Sequence, residues 1–201
     1  MQIEARGKKL MLFNTHLRYA YPSIGTFHRA WHELKQHGLL RGEPGRALLE
    51  LLRHNMRVRD LELWRLLDWV TPFAKKQIPV IIGADFNLDH DHDQMKTFTA
   101  RLGATNVLTT AVPPERSWTW DPEGNPNIAF STKMYEEDGT PKSTHLQLAA
   151  HYDAIRQNPD HLLLGPSFSK GSLEGGGLAM NLGMNGVFPS DHYGIWADVR
   201  V

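Results

Sequence analysis

Between Leu10 and Ile82 the chain reads as an apolar strand, a long leucine- and arginine-rich helix, and a second apolar strand. Leu10 to Leu17 follows the Gly7-Lys8-Lys9 turn signal and contains too few polar residues to alternate, as in a strand covered on both faces. Gln2 to Arg6 is placed to be its hairpin partner. From Gly45 to Lys76, Leu63, Leu66, Leu67, Val70 and Phe73 recur at three and four residues, so at least the second part of that stretch is an amphipathic helix. Gln77-Ile78-Pro79 stops it, and Val80-Ile81-Ile82 starts the next strand. Strand, long helix, apolar strand in this order is the pattern of a βαβ crossover with a covered sheet.

The remainder is punctuated differently. A helical stretch is predicted around Thr26 to His37, and a short helix through Met95, Phe98 and Leu102, capped by Asp91 or Asp93 and ended by Gly103. The second half offers short strand candidates at Ser117 to Trp120, Ile155 to Leu164 and Ile195 to Val201, separated by long loops rich in Gly, Pro and Asn. Gly171 to Gly186 reads as such a loop. Its Leu173, Leu178, Met180, Leu182 and Met184 make either a hydrophobic lip or packing at the core's edge. No repeat or linker divides the chain. The prediction is one α/β domain over residues 1–201 with its functional loops at one edge of the sheet.

Composition removes several classes. There are no cysteines, so disulfide scaffolds, cysteine zinc sites and thiol nucleophiles are excluded. Lys plus Arg and Asp plus Glu are 22 each, a balance that gives no support to a polyanion-coating protein. The basic excess lies between Arg41 and Lys76, where it reads as a solvated helix face or a contact with an anionic surface. The polar start has no apolar run of the signal-peptide kind, and no segment approaches the length of a membrane span, so a soluble chain is expected, with its compartment open.

Four short segments place metal-competent groups at strand ends: Asn14-Thr15-His16-Leu17, Gly83-Ala84-Asp85-Phe86-Asn87, Asp160-His161 before Leu162-Leu163-Leu164, and Ser190-Asp191-His192-Tyr193. Carboxylate and amide oxygens suit a hard cation, and a neighbouring imidazole can exchange protons near neutral pH. Together they suit metal-assisted attack of water on a phosphodiester. Taken singly, each has a plainer reading as a turn, a helix cap or a hydrogen-bonded core histidine. Other constellations fail. Asp89, Asp91 and Asp93 open like a calcium loop, but Gln94 and Ala100 stand where its glycine and glutamate belong, and His32 and His37 are one residue too far apart for a zinc-protease helix.

The four segments in this order resemble the endonuclease/exonuclease/phosphatase superfamily, whose motifs run Thr-His-Leu, Gly-Asp-Phe-Asn, Asp-His or Asp-Tyr before an apolar strand, and Ser-Asp-His. The extra Ala84 between Gly83 and Asp85 is a small departure. Thr119-Trp120-Asp121-Pro122, with Asn125 and Asn127-Ile128-Ala129, looks like a stretch of the bacterial neutral sphingomyelinases; its plain reading is an aromatic strand entering an Asp-Pro turn. The resemblance implies a two-sheet α/β sandwich with helices outside. It implies Asp85 and Asp191 as ligands of Mg²⁺ (or Mn²⁺), Asn87 beside the scissile phosphate, and His192 as general base oriented by Asp160. His16 would sit at the phosphate and the leaving oxygen, with Asn14 and Trp120 contacting substrate.

Family members also carry a long segment before Thr-His-Leu, with an asparagine and a metal-binding glutamate, whereas here that motif occupies residues 15–17. The resemblance thus implies an N-terminally incomplete domain, completed upstream or by a complementing chain. Three functions remain open at this point. They are a Mg²⁺-dependent phosphodiesterase acting on a phospholipid headgroup such as that of sphingomyelin, a DNA or RNA nuclease using the same chemistry, and an inactive remnant or binding module.

Overall fold

The computed structural model describes residues 1–168 and 171–201. The strands β1 (Gln2–Ala5) and β2 (Lys8–His16) form the expected hairpin, turned at Arg6-Gly7, where both residues have positive φ. After α1 (Ile24–Gln36) and α2 (Arg46–Lys75), the strand β3 (Val80–Asp85) returns beside β2 and parallel to it. The predicted βαβ crossover is therefore present, and its connection holds the shorter α1 as well as the 30-residue α2. The strands β4 (Thr105–Asn106) and β5 (Asp160–Leu164) complete a five-stranded sheet in the order β1-β2-β3-β5-β4. A second, antiparallel sheet pairs β6 (Leu173–Ala179) with β7 (Gly194–Val199). Between β3 and β5 lie α3 (Asp93–Leu102), α4 (Val107–Ala111) and α5 (Thr144–Asp153). Two sheets and flanking helices make this a mixed α/β fold.

Two apolar clusters hold it. In the first, the stripe Leu63, Leu66, Leu67, Val70 and Ala74 of α2 packs with Met95, Phe98 and Leu102 of α3 on Val80, Ile82, Ala84 and Leu163 of the sheet. In the second, Phe27, Ala30, Trp31 and Leu34 of α1 meet Leu52 of α2, Tyr21, and Leu148 and Tyr152 of α5. Full burial of one such side chain contributes roughly 1.5–3 kcal/mol, so these clusters fix the strand ends relative to α2 and α5.

Local details depart from the sequence expectations. The cap of α3 is His92, whose Nδ1 accepts from the Gln94 amide, while Asp93 is already helical; the stop at Gly103 is as expected, in the left-handed region. Ser117 to Trp120 forms no strand, only a bridge between Trp120 and Gln157. The strand expected over Ile155 to Leu164 begins at Asp160. The glycine-rich segment is no simple loop, because Gly175, Gly176 and Gly177 run through β6. A Cβ on Gly177 would lie 3.1 Å from Nε1 of Trp196, and one on Gly176 would lie 2.6 Å from Val107 Cγ1. The glycines are there to let Trp196 and α4 approach the strand. Beyond β6, Met180, Leu182, Met184 and Val187 are exposed.

Candidate active site

The strand register builds the site. His16 pairs with Asp85 across β2 and β3, and Asp85 pairs with Asp160 across β3 and β5. Residues opposite one another in a sheet project to the same face, so these three side chains stand in a row at the strand ends. His16 Nε2 lies 3.3 Å from Asp85 Oδ2, and the His16 ring is 70% exposed. The fourth member arrives from the loop before β7: His192 Nδ1 is 2.7 Å from Asp160 Oδ2. With a carboxylate as acceptor, the ring proton sits on Nδ1 and the lone pair on Nε2.

Electrostatics set these groups apart. Burial raises the Asp85 carboxyl above its usual range, the charge of Asp160 adds to that, and the Asn87 amide opposes it by donating to Asp85 Oδ1 at 2.8 Å. Burial alone would make the His192 ring harder to protonate, but the Asp160 hydrogen bond and the charges of Asp160, Asp85 and Asp191 outweigh it and raise its pKa. Ligand atoms of Asp85, Asp160 and His192 lie within 4.8 Å of one another. Two carboxylates facing each other, each with only an imidazole as its basic neighbour and one of them already hard to ionise, fit a hard divalent cation through their oxygens. His192 is already committed to Asp160 through Nδ1, which leaves the oxygens of Asp85 and Asp160 as the donor pair.

Of the remaining sequence candidates, Asn87 adopts φ of 50° and donates from Nδ2 to the Leu17 carbonyl at 2.9 Å, tying the ends of β2 and β3. Asn14 lies two residues before His16, donates to the Gly83 carbonyl at 3.1 Å and lines a separate opening of about 200 Å³ that Asp85 and Asp160 share. Trp120 stands edge-on to His192 with ring centres 5.0 Å apart. Asp191 is exposed, accepts from Ser190 Oγ at 3.2 Å and lies outside the group formed by Asp85, Asp160 and His192. The main cleft, about 400 Å³, brings His16, Asp85, Asn87 and His192 together with Tyr19, Trp120, His145, Ala149 and Asp153.

Several supporting residues escaped the sequence reading. Buried Arg59 of α2 donates to the carbonyls of Ala20, Tyr21 and Asn87, pinning both loops that carry the site. In the sequence it is one arginine among many on a basic helix. Buried Asn125 donates from Nδ2 to the carbonyls of Ser190 and Asp191, and the Thr119 carbonyl accepts from the Tyr193 amide. The Thr119–Ala129 stretch therefore grips the loop that carries His192; its Asn125 was visible in the sequence, but its partner 65 residues away was not. Asp153 had no sequence signal at all. Burial pushes its carboxyl up to about 6, with Asp191 adding to the effect and the Tyr19 hydroxyl, the charge of His192 and the Ser131 hydroxyl opposing it.

Fold and site together define a layered α/β domain with an acidic, imidazole-bearing cleft at its strand ends. Residues 14–192 match the Endonuclease/Exonuclease/phosphatase family, and the chain belongs to that family. Among solved structures it is similar to a truncated TDP2 of Caenorhabditis elegans, with 17% identity, a TM-score of 0.52, and 96% of this chain covering 56% of that one. It is also similar to a beta toxin of Staphylococcus aureus, with 18% identity, a TM-score of 0.54, and 99% of this chain covering 55% of that one. The chain thus spans little more than half the length of these structures. No curated protein sequence matches it.

Proposed function

We propose that this domain hydrolyses a phosphodiester with the help of a divalent cation, Mg²⁺ or Mn²⁺, and that its substrate is a phospholipid headgroup ester of the sphingomyelin kind. The observation that supports this most is the row His16, Asp85, Asp160 with His192 hydrogen-bonded to Asp160 at 2.7 Å. Asp160 holds the His192 ring with Nε2 free, and that nitrogen takes a proton from the attacking water. The oxygen of that water forms the new P–O bond as the bond to the leaving alcohol breaks. His16, at the opposite end of the row, supplies the proton that the departing oxygen needs. Asp85 and Asp160 would hold the cation, with Asp191, outside their group, a further carboxylate whose charge acts on His192. When bound, the cation neutralises charge that builds on the phosphoryl oxygens. Asn87 keeps the Asp85 turn in place, and Trp120 backs the His192 ring.

A lipid headgroup is favoured over nucleic acid because Asp85 and Asp153 line the cleft, Asp160 lines the opening beside it, and among the described residues no lysine or arginine lines either. A polyanion carrying many phosphates would meet repulsion there, whereas one phosphodiester meets a single cation. The test is hydrolysis of sphingomyelin in mixed micelles beside nicking of supercoiled plasmid, each with and without Mg²⁺. Metal-dependent headgroup release that falls at least about a thousandfold in His192→Ala and in Asp85→Ala is the expected result. Nicking without headgroup release would move the substrate to nucleic acid. Turnover that either variant retains at the wild-type rate would overturn the mechanism.

A further inference from the structure

The helix α2 leaves one face without a protein partner. Its inward stripe, Leu63, Leu66, Leu67, Val70 and Ala74, is buried with the sheet and α3. At about 100° per residue the opposite side of the helix centres on Leu61, which is 64% exposed. Leu51 and Trp69, 47% and 72% exposed, stand about five turns apart and so point the same way, along one flank of that outer face. Single exposed apolar residues are ordinary, but these three share one helix with a row of positive charges. Arg53, Arg57, Leu61, Arg65 and Trp69 follow one another at four-residue intervals, and all are exposed.

The helix does not neutralise its own arginines. Among the described residues no carboxylate comes within 4.0 Å of Arg53, Arg57 or Arg65. Two of the acids near them in the chain are engaged elsewhere: Glu50 pairs with Arg46 at 2.8 Å, and Glu62 accepts from the Arg18 amide at 2.7 Å. Over the whole helix, five exposed basic side chains stand against two exposed acidic ones. Arg101, at the end of α3, lies 5.2 Å from the centre of the Trp64 ring and adds a further charge beside α2. Since basic and acidic residues number 22 each in the chain, this excess is local to the α2 flank.

Charge and exposed apolar surface together specify a partner. Unpaired arginines call for an anionic surface, and a stripe running about 24 Å from Arg53 to Trp69 calls for an extended one. Along a nucleic acid the arginines would find phosphates, but Leu51, Leu61 and Trp69 would have nothing to bury against. At an anionic bilayer the guanidinium groups reach the lipid phosphates, while leucine and indole side chains enter the boundary between headgroups and acyl chains. We infer that the outer face of α2 docks the domain on the surface of an anionic phospholipid bilayer. This face lies outside the cleft and does not depend on what is hydrolysed there. It is close enough to serve it, because Leu48, Leu52 and Asn55 of α2 border a small opening with Tyr19, His145 and Ala149, which also line the cleft.

Vesicle binding tests this without turnover. The full chain is sedimented, in metal-free buffer at physiological salt, with vesicles of phosphatidylcholine alone and with vesicles that also contain about 30% phosphatidylserine. Each basic side chain near an anionic leaflet is worth about fivefold in binding, so the wild type is expected to favour the anionic vesicles by at least about tenfold. Arg57→Gln/Arg65→Gln is expected to lose about tenfold or more. Lys8→Gln/Lys9→Gln removes the same charge from the exposed start of β2 and is expected to stay within about twofold of the wild type. Leu61→Gln/Trp69→Gln is expected to weaken binding by about fivefold or more. All these side chains are exposed, and matched melting temperatures confirm that the variants are folded. No preference for anionic vesicles, equal losses in the arginine and lysine pairs, or wild-type binding by Leu61→Gln/Trp69→Gln overturns the docking face. Binding of a duplex oligonucleotide that Arg57→Gln/Arg65→Gln loses and Leu61→Gln/Trp69→Gln keeps, with vesicles ignored, would give the face to nucleic acid instead. None of these outcomes touches the phosphodiesterase reading, because the cleft carries no metal in this buffer and nothing has to be cleaved.

Discussion

At the scale of single residues, the site depends on which histidine is permitted to carry charge. His161 follows Asp160 in the chain but turns the other way into the core. Its Nε2 donates to the Leu88 carbonyl at 2.7 Å and its Nδ1 accepts from Asn106 Nδ2 at 2.8 Å. Burial pushes its pKa down to about 4 from 6.5, against the Leu88 hydrogen bond and the charge of Asp160. The unfolded chain therefore binds more protons than the folded one between these values. Stability is fully present above pH 6.5 and is lost as the pH falls through 4, by on the order of 3 kcal/mol. His161→Gln, with no proton to gain, is expected to flatten the acid side of a plot of melting temperature against pH. An unchanged slope would mean that His161 is not the group that titrates. His161 and His192 were alike in the sequence, each following an aspartate. The identity of such a side chain was legible there, but the direction it faces was decided by strand pleat and by Asn106.

At the scale of elements, the legible parts were those whose signal is local and periodic. The stripe Leu63, Leu66, Leu67, Val70 of α2 and the run Val80 to Ile82 of β3 announce themselves within one window, and with them came the crossover and the placement of His16 beside Asp85. The helix α5 gave no such signal, because its inward side mixes Gln147, Leu148 and Tyr152 and its cleft side carries His145, Ala149 and Asp153. The strand β6 was obscured for the opposite reason. Its glycines answer a demand made by Trp196, Val107 and Ala111, which lie elsewhere in the chain. Gly176→Ala puts a methyl 2.6 Å from Val107 Cγ1 and 3.2 Å from Ala111 Cβ, and α4 cannot retreat without disturbing β5. This change is expected to destabilise the protein by about 1–3 kcal/mol in urea denaturation. A neutral result would show that α4 and β6 are loosely joined.

At the scale of the whole molecule, the facing carboxylates of the cleft work against folding, and a bound cation would offset them. Asp85 and Asp160 face each other at the strand ends, and burial and mutual repulsion already raise the Asp85 pKa. In metal-free buffer the native state carries this repulsion and the unfolded chain does not. Asp85→Asn removes one charge while its side-chain oxygen can still accept from the Asn87 amide, as Asp85 does at 2.8 Å. Without metal the variant is therefore expected to be more stable than the wild type by about 1 kcal/mol, or roughly 2–4 °C in melting temperature for a chain of this size. Adding Mg²⁺ or Mn²⁺ should reverse the order. A cation that binds only the folded wild type stabilises it by RT ln(1 + [L]/Kd), about 2.7 kcal/mol at a hundred times Kd, and the variant lacks a ligand for it. Thermal melts of both proteins across a metal titration measure this crossing without any substrate. If the two curves never cross and neither responds to metal, the carboxylate pair does not serve a cation, and His16 and His192 would have to handle the phosphate alone.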